Sequence, residues 1–157
     1  MGNAERLIGK FYVYDAELQQ AVLGIAGKFD AVEPPEFLIV QIVERKWALL
    51  LPITTSTEVG SQDVRVPIRG MPRHSRGPIT VHCGFAVKCP IEVLRKWGEL
   101  DIELNAFYAF QIAQQVHGVN LHSSVRAKEI DADEDYREQV RFMTEVMDML
   151  WERYKNA

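Results

Sequence analysis

Two rhythms of apolar residues run along the chain, one of period two and one of period about three and a half, and they divide it into strands and helices. Leu7 to Tyr14 (LIGKFYVY) is rich in aromatic and β-branched residues and predicts a first strand. Asp15 is a suitable N-cap for a helix over Ala16 to Phe29, where Leu18, Val22, Ile25, Ala26 and Phe29 recur at helical spacing. Glu33-Pro34-Pro35 stops that helix and forces an extended entry into Glu36 to Glu44 (EFLIVQIVE), a nearly continuous apolar run expected of a central strand. Arg45-Lys46 reverses the chain into Trp47 to Ile53 (WALLLPI), so the pair reads as a hairpin of buried strands. Pro52 has no N–H to donate and is expected at a strand edge or terminus.

Farther along, Asp63 to Ile68 (DVRVPI) alternates polar and apolar positions, and Ile79 to Val81 and Phe85 to Cys89 add two short strands. Pro90 and Gly98 bracket a short helix at about 91–97. Asp101 is expected to cap a helix over about 101–116, with Leu104, Phe107, Tyr108, Ile112 and Val116 on one face. Gly118 to Ala127 reads as a loop. A last helix over about 131–155 carries Tyr136, Val140, Met143, Met147, Leu150 and Tyr154 at near-heptad spacing. Strands clustered in the middle with helices segregated afterwards predict an α+β fold around a small antiparallel barrel or strongly curved sheet. The barrel core would span about 7–90.

The 157 residues suit one domain, and 47% hydrophobic with 25% charged residues excludes a disordered or fibrous chain. Lys10 and Asp15 interrupt the apolar start, and no 18-residue uncharged stretch follows, so neither a signal peptide nor a membrane span is expected and the cytoplasm is the default location. Cys83 and Cys89 lack zinc spacing and read as reduced, buried residues. The net charge of −4 hides an asymmetry. No acidic residue occurs from Val64 to Ile91, which holds Arg65, Arg69, Arg73, Arg76, Lys88, His74 and His82, whereas 129–148 is dominated by acids.

Candidate chemistry concentrates between Leu51 and Gly77. Thr54, Thr55, Ser56 and Thr57 follow directly on a buried strand, which would deliver hydroxyls in fixed orientation to a phosphate or oxyanion, or simply close a turn on the local backbone. The cationic loop after them supplies arginine forks that match phosphate geometry and histidines able to carry a proton near neutral pH. Those are the parts that metal-free phosphodiester cleavage needs, although the same arginines would also pair with the acidic last helix. His117 and His122 have no Cys or carboxylate at ligand spacing, so no metal site is expected. Trp47, Trp97, Trp151, Phe107 and Tyr108 read as core before they read as a base-stacking platform.

The order FLIVQIV, basic turn, ALLLPITTST, VPI and IEVLRKWGELD resembles the MazF/PemK-type and ToxN-type toxin ribonucleases, and the opening KFYVYDAEL is closer to the ToxN-like branch. The resemblance runs over about Lys10 to Val116, with Pro52-Ile53-Thr54-Thr55 its best motif. It implies an SH3-like barrel that cleaves single-stranded RNA without a metal or other cofactor and leaves a cyclic phosphate. It also implies an antitoxin, RNA or protein, as partner, and admits a homodimer. Thr54 and Thr55 match the family's hydroxyl pair at the scissile phosphate. Pro35-Glu36 and Thr57 stand where the family carries cations, so the missing charge would come from Arg45, Lys46, Arg73 or Arg76. The resulting expectation is Thr54, Thr55, Arg73 and His74 as catalytic groups, with Ser56, Arg45, Lys46, Arg69, Arg76 and His82 binding RNA. A non-catalytic protein-binding barrel of the CcdB type, or an RNA-binding module without chemistry, is the alternative.

Overall fold

The computed structural model describes residues 4–55, 64–66, 78–100, 104–116 and 134–157. Its architecture is α+β, and the described residues form an antiparallel sheet of seven strands with four α-helices. After a 3₁₀ turn at Ala4–Leu7, Gly9 takes a left-handed φ of +88° and leads into β1 (Phe11–Val13), shorter than the run of apolar residues predicts. Asp15 caps α1 (Ala16–Ala26) as expected, its carboxylate accepting the Leu18 N–H at 2.9 Å. β2 (Glu36–Val43) and β3 (Trp47–Thr54) form the anticipated hairpin. Then come β4 (Val64–Val66), β5 (Ile79–Val81), β6 (Val87–Pro90), the single-turn α2 (Ile91–Leu94), β7 (Gly98–Leu100), α3 (Ala106–Gln115) and α4 (Glu134–Tyr154).

The sheet runs β4-β5-β3-β2-β1-β7, and β6 pairs with β3 off that path. Among the described residues it does not close on itself. β3 therefore has β2 on one side and β5 followed by β6 on the other, which corrects the expectation that Pro52 lies at an edge or terminus. Its place is nonetheless explained by what proline lacks. β6 pairs with Trp47 to Leu50 and β5 with Ile53 and Thr54, so Pro52 falls where the neighbour changes. Its carbonyl accepts the His82 N–H at 3.0 Å, and that side of the strand there requires no donor from Pro52.

Both faces of β3 are covered along its length and those of β2 from Phe37 to Ile39, which is why they read as apolar runs. On one face, Phe37, Ile39, Ala48 and Leu50 pack with Leu18 and Val22 of α1 and Phe142, Met143, Val146, Met147 and Leu150 of α4. On the other, Phe11, Leu38, Leu49, Leu51, Ile53, Val64, Val66, Ile79 and Val81 enclose a second core that Ile112 of α3 completes. Cys83 and Cys89 are both buried thiols that form no disulfide.

Three local expectations are corrected. Gly98 opens β7 rather than closing a helix, and it packs closely there: a Cβ would meet Val13 Cγ1 at 3.2 Å across the β1–β7 pair, so a larger residue requires Val13 to shift. α3 starts from Asn105, whose side chain accepts the Phe107 N–H at 2.8 Å; Asp101 lies outside the described residues. Phe107 is 62% exposed rather than core, and Phe110 64%. The predicted loop at 118–127 also lies outside the described residues.

Candidate functional site at the polar end of β3

Along β3 the face that meets the helices changes character, from Ala48 and Leu50 in the core to Thr54 at the strand end. Alternation carries the change across three strands, because Arg65, Thr80 and Thr54 occupy one register row, Arg65 opposite Thr80 and Thr80 opposite Thr54. Their neighbours Val64, Val66, Ile79, Val81 and Ile53 point to the second core. Arg65 Nη1 donates to Thr80 Oγ1 at 2.9 Å, which draws the guanidinium along the row toward β3. His82 lies two residues beyond Thr80 on the same face, the diagonal position from which a long side chain reaches across. It does reach, and Thr54 Oγ1 and His82 Nε2 stand 2.7 Å apart, with both residues buried.

A second group adjoins the row. The β2–β3 ladder ends at Glu36 opposite Ile53, because the next residues toward Thr55, Pro35 and Pro34, have no N–H. The half-buried Glu33 fills the gap. Its carboxylate accepts the Thr55 N–H at 2.7 Å and also the Thr55 Oγ1–H. Glu33 precedes Pro34 and is therefore held extended, with its N–H and C=O directed the same way. The buried Gln139 of α4 takes both: Glu33 N–H donates to Gln139 Oε1 and Gln139 Nε2 donates to Glu33 O, each at 2.8 Å.

Of the expected site residues, Thr54, Thr55 and His82 thus come together. The arrangement differs from the expected one in that the Thr55 donors face Glu33 and the Thr54 hydroxyl faces His82. Arg45 and Lys46 do not join them. They are exposed at the opposite end of β3, a strand length of roughly 23 Å away, where Lys46 Nζ donates to the Ala157 carbonyl and sits 5.1 Å from the Trp47 ring. Ser56, Arg69, Arg73, His74 and Arg76 lie outside the described residues, as do His117 and His122. Glu33, Gln139 and Thr80 are the members that sequence reading missed. Glu-Pro-Pro before a strand marks an extended residue beside a strand end; no signal singles out Gln139, 106 residues away in sequence.

Among the described residues no helix is long and apolar enough to cross a membrane. Comparison of the chain with family models, with curated proteins and with solved structures gave no match.

Proposed function

We propose that the chain is a metal-independent, toxin-like endoribonuclease acting on single-stranded RNA, with the polar end of β3 as its working site. In this reading the open sheet described above belongs to an SH3-like barrel, and an antitoxin would be its partner. The observation that carries the reading is the row Arg65–Thr80–Thr54 with His82 locked onto Thr54. It sets a guanidinium, held on Thr80, in one row with a hydroxyl and an imidazole fixed beside it. Arg65 would stabilise charge developing on the phosphorus oxygens, as guanidinium forks do. Thr54, which keeps 4% exposure at the strand end, would hold the scissile phosphate in line, and His82, with none, would orient Thr54 rather than touch RNA. Arg73, His74, Arg76, Arg69 and Ser56 keep the roles that charge and resemblance assign them.

The test is incubation of purified protein with mixed-sequence single-stranded RNA in excess EDTA. Cleavage leaving 2′,3′-cyclic phosphate ends, lost in Thr54→Val and Arg65→Ala, is the expected result. Intact RNA, or equal cleavage by both variants, refutes the reading.

One observation favours a second reading, a protein-binding member without chemistry. α3 exposes Phe107 and Phe110 on a helix that has no charged residue from Asn105 to Val116. That reading predicts a stoichiometric protein complex weakened by Phe110→Ala and no RNA bound even at low salt.

A further inference from the structure

Cleavage through a ribose 2′-hydroxyl needs a group to take its proton, and among the described members of the row neither threonine nor the buried His82 offers one at the surface. We propose that Glu33 is that proton acceptor. The assignment rests on the ribonuclease reading. Glu33 is the carboxylate held directly against Thr55 at the strand end, and its placement is unusually determined. Two donors of Thr55 orient its two oxygens, leaving on each a lone pair for a further hydrogen bond. Its backbone is fixed at both N–H and C=O by the carboxamide of Gln139, and Pro34 fixes the chain immediately after it. A base oriented by a third group, itself anchored to a rigid helix, is the arrangement general-base catalysis requires. A surface glutamate with an incidental contact would have no need of the second pair of bonds.

The Arg65 row ends at Thr54, the residue before Thr55, so an RNA phosphate lying over Arg65 would place its attached ribose toward Glu33. In the step, the 2′-hydroxyl proton passes to the Glu33 carboxylate as the O2′–P bond forms. The P–O5′ bond breaks, and the departing 5′-oxygen takes a proton from water. The products are a 2′,3′-cyclic phosphate and a 5′-hydroxyl, and no oxidation or reduction occurs. Thr55 and Gln139 are positioning residues in this scheme, acting only through Glu33.

Glu33→Gln keeps the shape and an acceptor for Thr55 while removing the basic carboxylate. In EDTA, with single-stranded RNA in single and multiple turnover, it is expected to lower kcat by about 100-fold or more with KM changed less than about threefold. Gln139→Ala is expected to lower kcat by roughly ten- to a hundredfold, again at nearly constant KM, because the base loses its anchor. Glu33→Asp, a shorter carboxylate, guards against misfolding of the first variant and is expected to retain more activity than Glu33→Gln. If wild type cleaves and Glu33→Gln keeps its kcat, the assignment to Glu33 falls while the ribonuclease reading stands. If Glu33→Asp is no better than Glu33→Gln and KM rises with the fall in kcat, Glu33 is structural and the assignment also falls. If wild type leaves RNA intact, both fall together.

Discussion

Thr54 and His82 form a contact whose energetic value is set by burial more than by the bond. The net worth of a hydrogen bond in water is small, but a polar atom that loses its partner where water does not reach carries the whole desolvation cost. Thr54 is 4% exposed and His82 not at all, so Thr54→Val, equal in shape, is expected to destabilise the fold by about 1–3 kcal/mol. A double-mutant cycle with His82→Phe, read by denaturant unfolding, should return a coupling of roughly 1–2 kcal/mol, and additive single effects would refute the pairing. The buried cysteines give a second expectation at this scale. Burial pushes the Cys89 thiol up to about 12, and Cys83 is buried with its Sγ against the Val81 carbonyl at 3.7 Å. The thiolate is the nucleophile, so a thiol reagent at pH 8 should modify neither residue in native protein and both after denaturation. Stoichiometric labelling of the native protein would contradict both placements.

Among the elements, the β2–β3 hairpin carries local strain. Glu44 and Arg45 both take left-handed φ, 54° and 58°, and Lys46 N–H closes the turn on Val43 O at 3.1 Å. Neither residue suits that conformation, which Asn-Gly adopts readily. Replacing Glu44-Arg45 by Asn-Gly should raise stability by roughly 1–2 kcal/mol in chemical denaturation, and a loss would mean that Arg45 makes compensating contacts. The same hairpin shows what local pattern conveys. Its strands were legible because burial on both faces writes an apolar run into the sequence, and the cap at Asp15 was legible because one side chain bonds the next turn. β7 was not. Its three residues have no strand signal, and Gly98 reads as a helix stop when its actual constraint is the proximity of Val13, 85 positions earlier. The site was legible in the same proportion. Thr54 and Thr55 stand out as hydroxyls at a strand end, but the partners that orient them come from other elements: His82 by the β3–β5 register, Glu33 by a broken ladder, Gln139 by the packing of α4. Register and packing are properties of the whole fold, and composition does not encode them.

At the scale of the whole molecule, one apolar layer ties the helices to the sheet, and it contains groups that ionise only in base. Tyr14 packs edge-on against Phe37 and Trp97 with ring centroids 5.9 and 6.2 Å away, and burial together with the charge of Glu36 pushes its phenol up from 10.0 to about 12. Cys89, opposite Ala48 in the β3–β6 pair, is pushed up from 9.0 to about 12 by burial alone. Tyr12 and Tyr154 are raised for the same first cause. Each group is neutral when protonated, so the folded state retains protons that the unfolded chain releases. The unfolded state therefore binds fewer protons above pH 9, and the stability of the fold must fall as pH rises. These groups contribute their full stability below pH 9; the contribution of Cys89 declines between 9 and about 12, and that of Tyr14 between 10 and about 12. The slope is roughly 1 kcal/mol per pH unit for each group within its window. Denaturant midpoints measured from pH 7 to 12 should show no decline from these groups up to about pH 9, then a steepening decline once the tyrosines join. Lys10, raised by its hydrogen bond to Glu99, adds an alkaline loss of its own, so the decisive comparison is internal. Cys89→Ala should make the decline between pH 9 and 10 shallower, and Tyr14→Phe should act only above pH 10. If both variants keep the wild-type slope, the helix-side core is open to solvent and the packing that positions α4, and with it Gln139, is wrong.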